Sequence, residues 1–238
     1  MGQLDGKVAI VVGGGSGIGK GIAKALADEG CAVVIAGRTL ARLQAAAAAL
    51  GANGAQVVPI PADAADEAQV KALFARAMER FGRLDILVNA SGAFDSGPIE
   101  DLSLGAWNNV MAANVTGPFL CTREAFRIMK ASGGGRIINI GSISAQRTRD
   151  QMVAYTASKC AIWGLTMSTA LEGRPYGIAA SCLHPGNVMV ERRAGVTEVM
   201  MATEEIGRTV LLMVTLPPQT TILEAVIMPI TQPYIGRG

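Results

Sequence analysis

Val8-Ala9-Ile10-Val11-Val12-Gly13-Gly14-Gly15-Ser16-Gly17-Ile18-Gly19 is the stretch that decides the fold. Its first five residues are a Val/Ile-rich run, the composition of a strand covered on both faces. Glycines crowd the next seven positions, and residues 19–28 then read as a helix. Glycines at such a turn let the backbone approach a phosphate, while the helix N-terminus offers free N–H groups and a positive dipole. Two chemistries compete for the loop. Residues 14–20 satisfy a nucleotide-triphosphatase P-loop as far as Lys20, but the next position must hold magnesium through Ser or Thr and is Gly21. No strand ends in an obvious Walker-B aspartate either. A dinucleotide loop, with Gly13, Gly15, Ser16, Gly17, Ile18 and Gly19 against the pyrophosphate, fits the strand–turn–helix context.

Outward from this unit the alternation continues. Strands are expected at 8–12, 32–36, 56–60, 84–89, 135–140, 178–183 and 221–228. Helices are expected at 19–28, 39–50 with Thr39 as cap, 67–81, 107–129 with a kink near Gly117-Pro118, 154–171 and 204–214. Strands separated by helices imply parallel pairing with right-handed crossovers. The expectation is an α/β fold: one doubly wound, Rossmann-type domain over 1–238, with a mostly parallel sheet of about seven strands. Residues 187–203 are irregular and long enough to form a substrate lid.

Composition excludes several classes. Half the residues are hydrophobic and 17% are charged, so the chain can bury a large core and is not disordered. A net charge of +2 gives no basic footprint for nucleic acid. Cys31, Cys121, Cys160 and Cys182 are scattered, with no metal-ligand spacing, and read as buried thiols in a reducing compartment. Residues 1–7 are polar, with no signal-peptide core, and no apolar run reaches the 18 or so residues of a membrane span. A cytoplasmic protein with no metal is expected.

The second strand ends Ile35-Ala36-Gly37-Arg38. A site for NAD usually places a carboxylate there for the ribose hydroxyls. Here an arginine stands ready to pair with a 2′-phosphate, which favours NADP(H). Farther on, Tyr155 and Lys159 are four apart at the start of a helix, on one face. A free phenol titrates near pH 10 and shuttles protons poorly at neutral pH; a fixed cation beside it favours the phenolate.

The glycines at 13, 17 and 19 with Tyr155-Thr156-Ala157-Ser158-Lys159 resemble the short-chain dehydrogenase/reductase family, and the resemblance spans nearly the whole chain. Leu87-Val88-Asn89-Ala90-Ser91-Gly92 is similar to that family's Asn-Asn-Ala-Gly segment, with Val88 for the first Asn and Ser91 for Ala. Asn114 matches its catalytic asparagine, and Ser142 its catalytic serine. Pro185-Gly186 matches the segment that frames the nicotinamide, and Asp63 stands where the family touches adenine. The resemblance implies that Tyr155 is the general acid/base, that Lys159 supports it and binds the nicotinamide ribose, and that Ser142 hydrogen-bonds the substrate oxygen. Asn114 is expected to hold a water linking Lys159 to solvent, and Asn89 to lie at the cofactor.

The chain also departs from the pattern. Val190 stands where the family often has a threonine for the cofactor carboxamide, leaving the Val188 N–H as a candidate donor. Arg147, Arg149, Arg192 and Arg193 either bind an anionic substrate group or are solvated loop charges. His184 reads as structural or as a pocket wall, and Met189, Met200 and Met201 as an adaptable apolar lid or simple packing. The expected activity is NADP(H)-dependent interconversion of a small carbonyl and an alcohol, a hydroxy acid among the options, in a homodimer or homotetramer. The alternatives are a 3-oxoacyl-thioester reductase and a non-catalytic dinucleotide sensor.

Overall fold

A computed structural model describes residues 2–191 and 198–233. Among them, seven strands form one sheet in the order β3-β2-β1-β4-β5-β6-β7, with every pairing parallel. The strands are β1 (Val8–Val12), β2 (Ala32–Gly37), β3 (Val57–Pro61), β4 (Ile86–Asn89), β5 (Gly135–Ile140), β6 (Ile178–Pro185) and β7 (Glu224–Ile227). The helices are α1 (Gly17–Asp28), α2 (Leu40–Leu50), α3 (Glu67–Phe81), α4 (Leu104–Met111), α5 (Gly117–Ser132), α6 (Val153–Gly173) and α7 (Thr203–Thr215). This is the doubly wound arrangement expected, with β7 shortened to four residues.

Alternate residues of the central strands feed two cores. Val11, Val33, Ile35 and Val88 pack with Ile22, Leu26, Leu43, Ile206 and Val210 on the face covered by α1, α2 and α7. Ile10, Val12, Val34 and Leu87 pack with Val70, Leu73, Phe74, Leu120 and Met129 on the face covered by α3 and α5. Local chemistry sets the helix ends. Asp66 caps α3 by accepting from Gln69 N, and Gly82, at φ 69°, closes it in the left-handed region. Thr39 holds the N-cap position of α2 but its hydroxyl makes no capping bond.

The expected single helix at 107–129 is two helices. Ser103 starts α4 by accepting from Ala106 N at 3.1 Å, and a π-helical turn, Ala112–Thr116, separates α4 from α5. Pro118 lies in the first turn of α5 and has no N–H to continue the backbone ladder from the π-helical turn. The irregularity therefore begins five residues before Gly117, at a widened turn of the kind that recurs at functional sites.

Polar ties fix the sheet. Asp85, just before β4, accepts from Val8 N at 2.9 Å and binds Lys7 and Arg83, joining the starts of β1 and β4. Burial alone would raise its pKa, but the Arg83, Val8 and Lys7 bonds outweigh it and hold the carboxyl below its ordinary value. Arg136 of β5 is buried and donates to the carbonyls of Leu216, Pro217 and Thr220, clamping the α7–β7 connection. At the opposite edge, Val33 N bonds Gln56 O and Ala62 N bonds Gly37 O. Val57, Pro59 and Pro61 therefore turn their backbone outward from β3.

Candidate active site

The chain runs outward through β1, β2 and β3, then crosses back to β4 on the other side of β1. Open parallel sheets bind ligands at such a switch point, beyond the carboxyl ends of the strands. A cleft of about 1110 Å³ lies there.

The glycine loop forms one wall. Gly13 has φ 84°, and a Cβ on it would sit 2.7 Å from Ser91 N at the end of β4. A Cβ on Gly19 would sit 2.2 Å from Gly13 O, so only glycine lets α1 abut the turn. Ser16 occupies the N-cap of α1 without a side-chain cap bond, and the first amides of a helix lack intrahelical acceptors. This backbone-lined cradle suits a pyrophosphate. Gly13, Gly15, Ser16, Gly17, Ile18 and Gly19 all line the cleft, while Gly14 packs against Ile35 instead.

The end of β2 and the start of α2 form the side where the sequence places the adenosine. Arg38 and Arg42 both line the cleft here, while Lys20 lines it from α1. Arg42 was missed by sequence reasoning. Its only signal was its place four residues after Arg38, in the first turn of α2. Asp63 also lines this side, with its Oδ1 accepting from Ala65 N at 3.0 Å.

Ser142, Tyr155 and Lys159 converge on the other end. Lys159 is buried; its Nζ donates to Ile140 O at 2.8 Å and lies 5.6 Å from the Tyr155 ring centroid. Ser142 follows β5 and is 8% exposed; its Oγ accepts from Ser144 N at 3.1 Å, which leaves the O–H free to donate elsewhere. Phe94 packs edge-on to Tyr155 with centroids 5.3 Å apart and lines the cleft, another residue the sequence did not mark.

The two asparagines lie behind the wall. Asn114, in the π-helical turn, accepts from Ala93 N at 2.7 Å and donates to Ala93 O and Ser158 Oγ, both at 3.0 Å. Both amide hydrogens are committed, so its side chain ties the 91–93 segment to α6 rather than facing the cleft. Asn89 is also absent from the cleft surface. Its Nδ2 donates to Asn139 Oδ1 at 2.8 Å and Thr122 Oγ1 at 3.2 Å, bracing β4 against β5 and α5.

Pro185, Gly186 and Val188 line the cleft beyond β6. A Cβ on Gly186 would meet Gln232 Oε1 at 2.3 Å, and that oxygen already accepts from Asn187 N at 2.7 Å. Met189 N bonds Met201 O and Met201 N bonds Asn187 O, a bridge that leaves the Val188 amide outside it. Val190 lines the cleft over Gly17. Of the four arginines, Arg149 lines the cleft, its Nη2 3.3 Å from Asn187 Oδ1, and Arg147 does not. Arg192 and Arg193 lie outside the described residues. His184 is fully buried and does not reach the cleft.

Burial pushes the thiols of Cys31, Cys121 and Cys182 up to about 12, so they stay protonated, whereas Cys160, expected to be buried with them, is exposed. Among the described residues no group of three or more His, Cys, Asp or Glu is placed to hold a metal, and no helix is long and apolar enough to cross a membrane.

Comparison with known proteins agrees with this geometry. Residues 7–200 match the short chain dehydrogenase family. The chain is 38% identical over 189 residues to a D-threitol dehydrogenase of Mycolicibacterium smegmatis, covering 79% of this chain and 73% of that protein. It is 40% identical over 202 residues to a 3-alpha-(or 20-beta)-hydroxysteroid dehydrogenase of Mycobacterium bovis, covering 85% and 76%. A solved short-chain dehydrogenase/reductase of Serratia marcescens, a doubly substituted mutant, superposes with a TM-score of 0.89 at 35% identity, covering 95% of this chain and 98% of that one.

Proposed function

We propose that this chain, which belongs to the short-chain dehydrogenase/reductase family of oxidoreductases, is an NADP(H)-dependent enzyme that interconverts a small ketone or aldehyde and the corresponding alcohol. The family works with nicotinamide dinucleotides. The carrying observation is that Ser142, Tyr155 and Lys159 open onto the same cleft as the glycine loop. Preference for the 2′-phosphorylated cofactor rests on Arg38 and Arg42 at the adenosine side, where β2 ends without a carboxylate.

The glycine loop, Arg38, Asp63, Pro185, Gly186 and Val188 would hold the dinucleotide, which supplies the hydride in reduction. In that direction the substrate oxygen gathers negative charge. Ser142 donates its free O–H to that oxygen, and Tyr155 delivers a proton to it. Lys159 places a positive charge beside the phenol as the proton leaves, held in position by Ile140 O. In oxidation Tyr155 takes the proton back. Asn114 sets the geometry of this end by locking Ala93 to Ser158, and would hold the water for Lys159.

The chain acts as one cofactor-binding and catalytic domain, with the described residues 187–191 and 198–203 beside the cleft; residues 192–197 of the expected lid lie outside the described residues. Apolar Leu104, Phe119, Met167 and Leu171, exposed on α4, α5 and α6, favour assembly of copies through those helices. The experiment is to follow NADPH consumption against 3-oxo acids, aromatic ketones and diketones, with Tyr155→Phe as the control. Loss of the phenol is expected to lower kcat by about 10²–10⁴-fold with the fold intact. A Tyr155→Phe variant that reduces ketones like the wild type would refute the assignment.

A further inference from the structure

We propose that His184 is a positioning residue for Ser142: its imidazole, protonated on Nε2, accepts the Ser142 amide hydrogen on Nδ1 and is held from behind by the Glu224 carboxylate. The proposal rests on the reading of Ser142 as donor to the substrate oxygen. His184 ends β6 and is completely buried. Its Nδ1 lies 2.9 Å from Ser142 O and 3.2 Å from Ser142 N. Those two distances alone admit either neutral tautomer, so the neighbours decide.

Ser142 O already accepts from Ala145 N at 3.0 Å. The Ser142 amide has no acceptor among the described residues other than His184 Nδ1. On the far side of the ring, Nε2 is buried 3.3 Å from Glu224 Oε1, without full hydrogen-bond alignment. A lone pair on Nε2 would face a carboxylate and be repelled, whereas a proton there is attracted. The Nε2-protonated ring gives the Ser142 amide its acceptor and turns a proton to Glu224; the other tautomer loses both and gains only a second donor on Ser142 O, 2.9 Å away.

The sheet builds this arrangement. Cys182 pairs directly with Glu224 in the β6–β7 register, so Glu224 and His184 share a face one diagonal step apart. Gln146, just past the turn that Ser142 begins, donates its Nε2 to Glu224 Oε1 at 2.6 Å and steadies the carboxylate. Gly141 gives the ring its room: a Cβ there would sit 2.5 Å from His184 Nδ1. Trp163 of α6 closes the side with ring centroids 6.2 Å apart. Burial pushes the imidazole below its ordinary pKa, and the Lys159 charge acts the same way; Glu224 and the nearby Ser142 carbonyl, which favour a charged ring, do not overcome them. A neutral ring is required, because a doubly protonated one has no lone pair for the Ser142 amide.

The chain contains one histidine, so the ring-nitrogen NMR spectrum of the wild-type protein holds a single imidazole. The expected spectrum at neutral pH is neutral with the proton on Nε2; a proton on Nδ1, or an imidazolium, overturns the proposal. Two variants test the consequence. His184→Leu removes the acceptor and is expected to lower kcat for ketone reduction roughly tenfold or more while leaving KM for NADPH unchanged. His184→Asn places an amide oxygen near the Nδ1 position and is expected to recover most of that loss. Unchanged kcat in His184→Leu, or equal loss in both variants, also overturns it. The NMR measurement needs no turnover, so a wild type without reductase activity would sink the proposed function and leave the tautomer result standing.

Discussion

Replacing Gly19 with alanine tests whether the glycine loop is a phosphate cradle or only a tight turn. The added Cβ would lie 2.2 Å from Gly13 O and 2.6 Å from Gly13 C. Short carbon–oxygen contacts begin at about 3.3 Å, so α1 and the turn must part by about 1 Å. Overpacking of this kind typically costs about 1–3 kcal/mol. At about 1.4 kcal/mol per tenfold, that is roughly 5–150-fold in cofactor affinity if the strain falls on the binding geometry. Because the displaced atoms are the backbone that faces the cleft, NADPH affinity is expected to fall about tenfold or more. Fluorescence titration measures the affinity, and thermal unfolding without cofactor measures the strain in the free protein. Gly105→Ala is the control: its Cβ meets only Ser103 Oγ at 3.8 Å, and alanine in helix α4 is expected to stabilise slightly. If Gly19→Ala binds NADPH as tightly as the wild type does, the loop is not the phosphate site.

Arg38→Asp is expected to weaken NADPH about tenfold or more while sparing NADH, since charge-assisted bonds contribute about 1.5–3 kcal/mol each; Arg42 remains at the site and keeps the loss incomplete. Equal affinity of the wild type for both cofactors would remove the basis of this prediction. Asp85 makes a pH-dependent contribution to stability. Its folded pKa lies below the ordinary 3.8, so its contribution is complete above that value and is lost as pH falls through the folded pKa. Asp85→Asn is expected to cost about 0.5–1 kcal/mol at pH 7, because Lys7 and Arg83 are about half exposed, and nothing at the lowest pH. Urea unfolding of both proteins at several pH values measures the difference, and a gap independent of pH would refute it.

What the sequence made legible was whatever a local pattern encodes. The Val8–Val12 run, the glycines after it and the Glu67–Phe81 periodicity all fixed elements at their observed places. Tyr155 and Lys159 share a helical face, so their meeting needed only the 3.6-residue repeat. What the sequence left illegible involves contacts between distant segments. Asn89 and Asn114 sit in motif positions, yet whether an amide faces the cleft or braces the wall depends on Asn139 and Ala93, which no local pattern links to them. Arg136 reads as an ordinary strand charge until the α7–β7 connection folds over it. The π-helical turn gave no compositional cue; only the nearby Gly117-Pro118 hinted at a break, and placed it five residues late.

The outward prolines of β3 have a consequence for how this protein meets copies of itself. A sheet left open at both ends offers two templates on which a partly unfolded chain can add a strand. Here the β3 end presents the carbonyls of Val57, Pro59 and Pro61 but only one amide, that of Val57. An incoming strand would find acceptors and almost no donors, and could not build a ladder. Growth by strand addition is thereby confined to the other end, the four residues of β7. The sheet is a polymer seed with one blocked terminus, and misassembly during folding has a single door to guard.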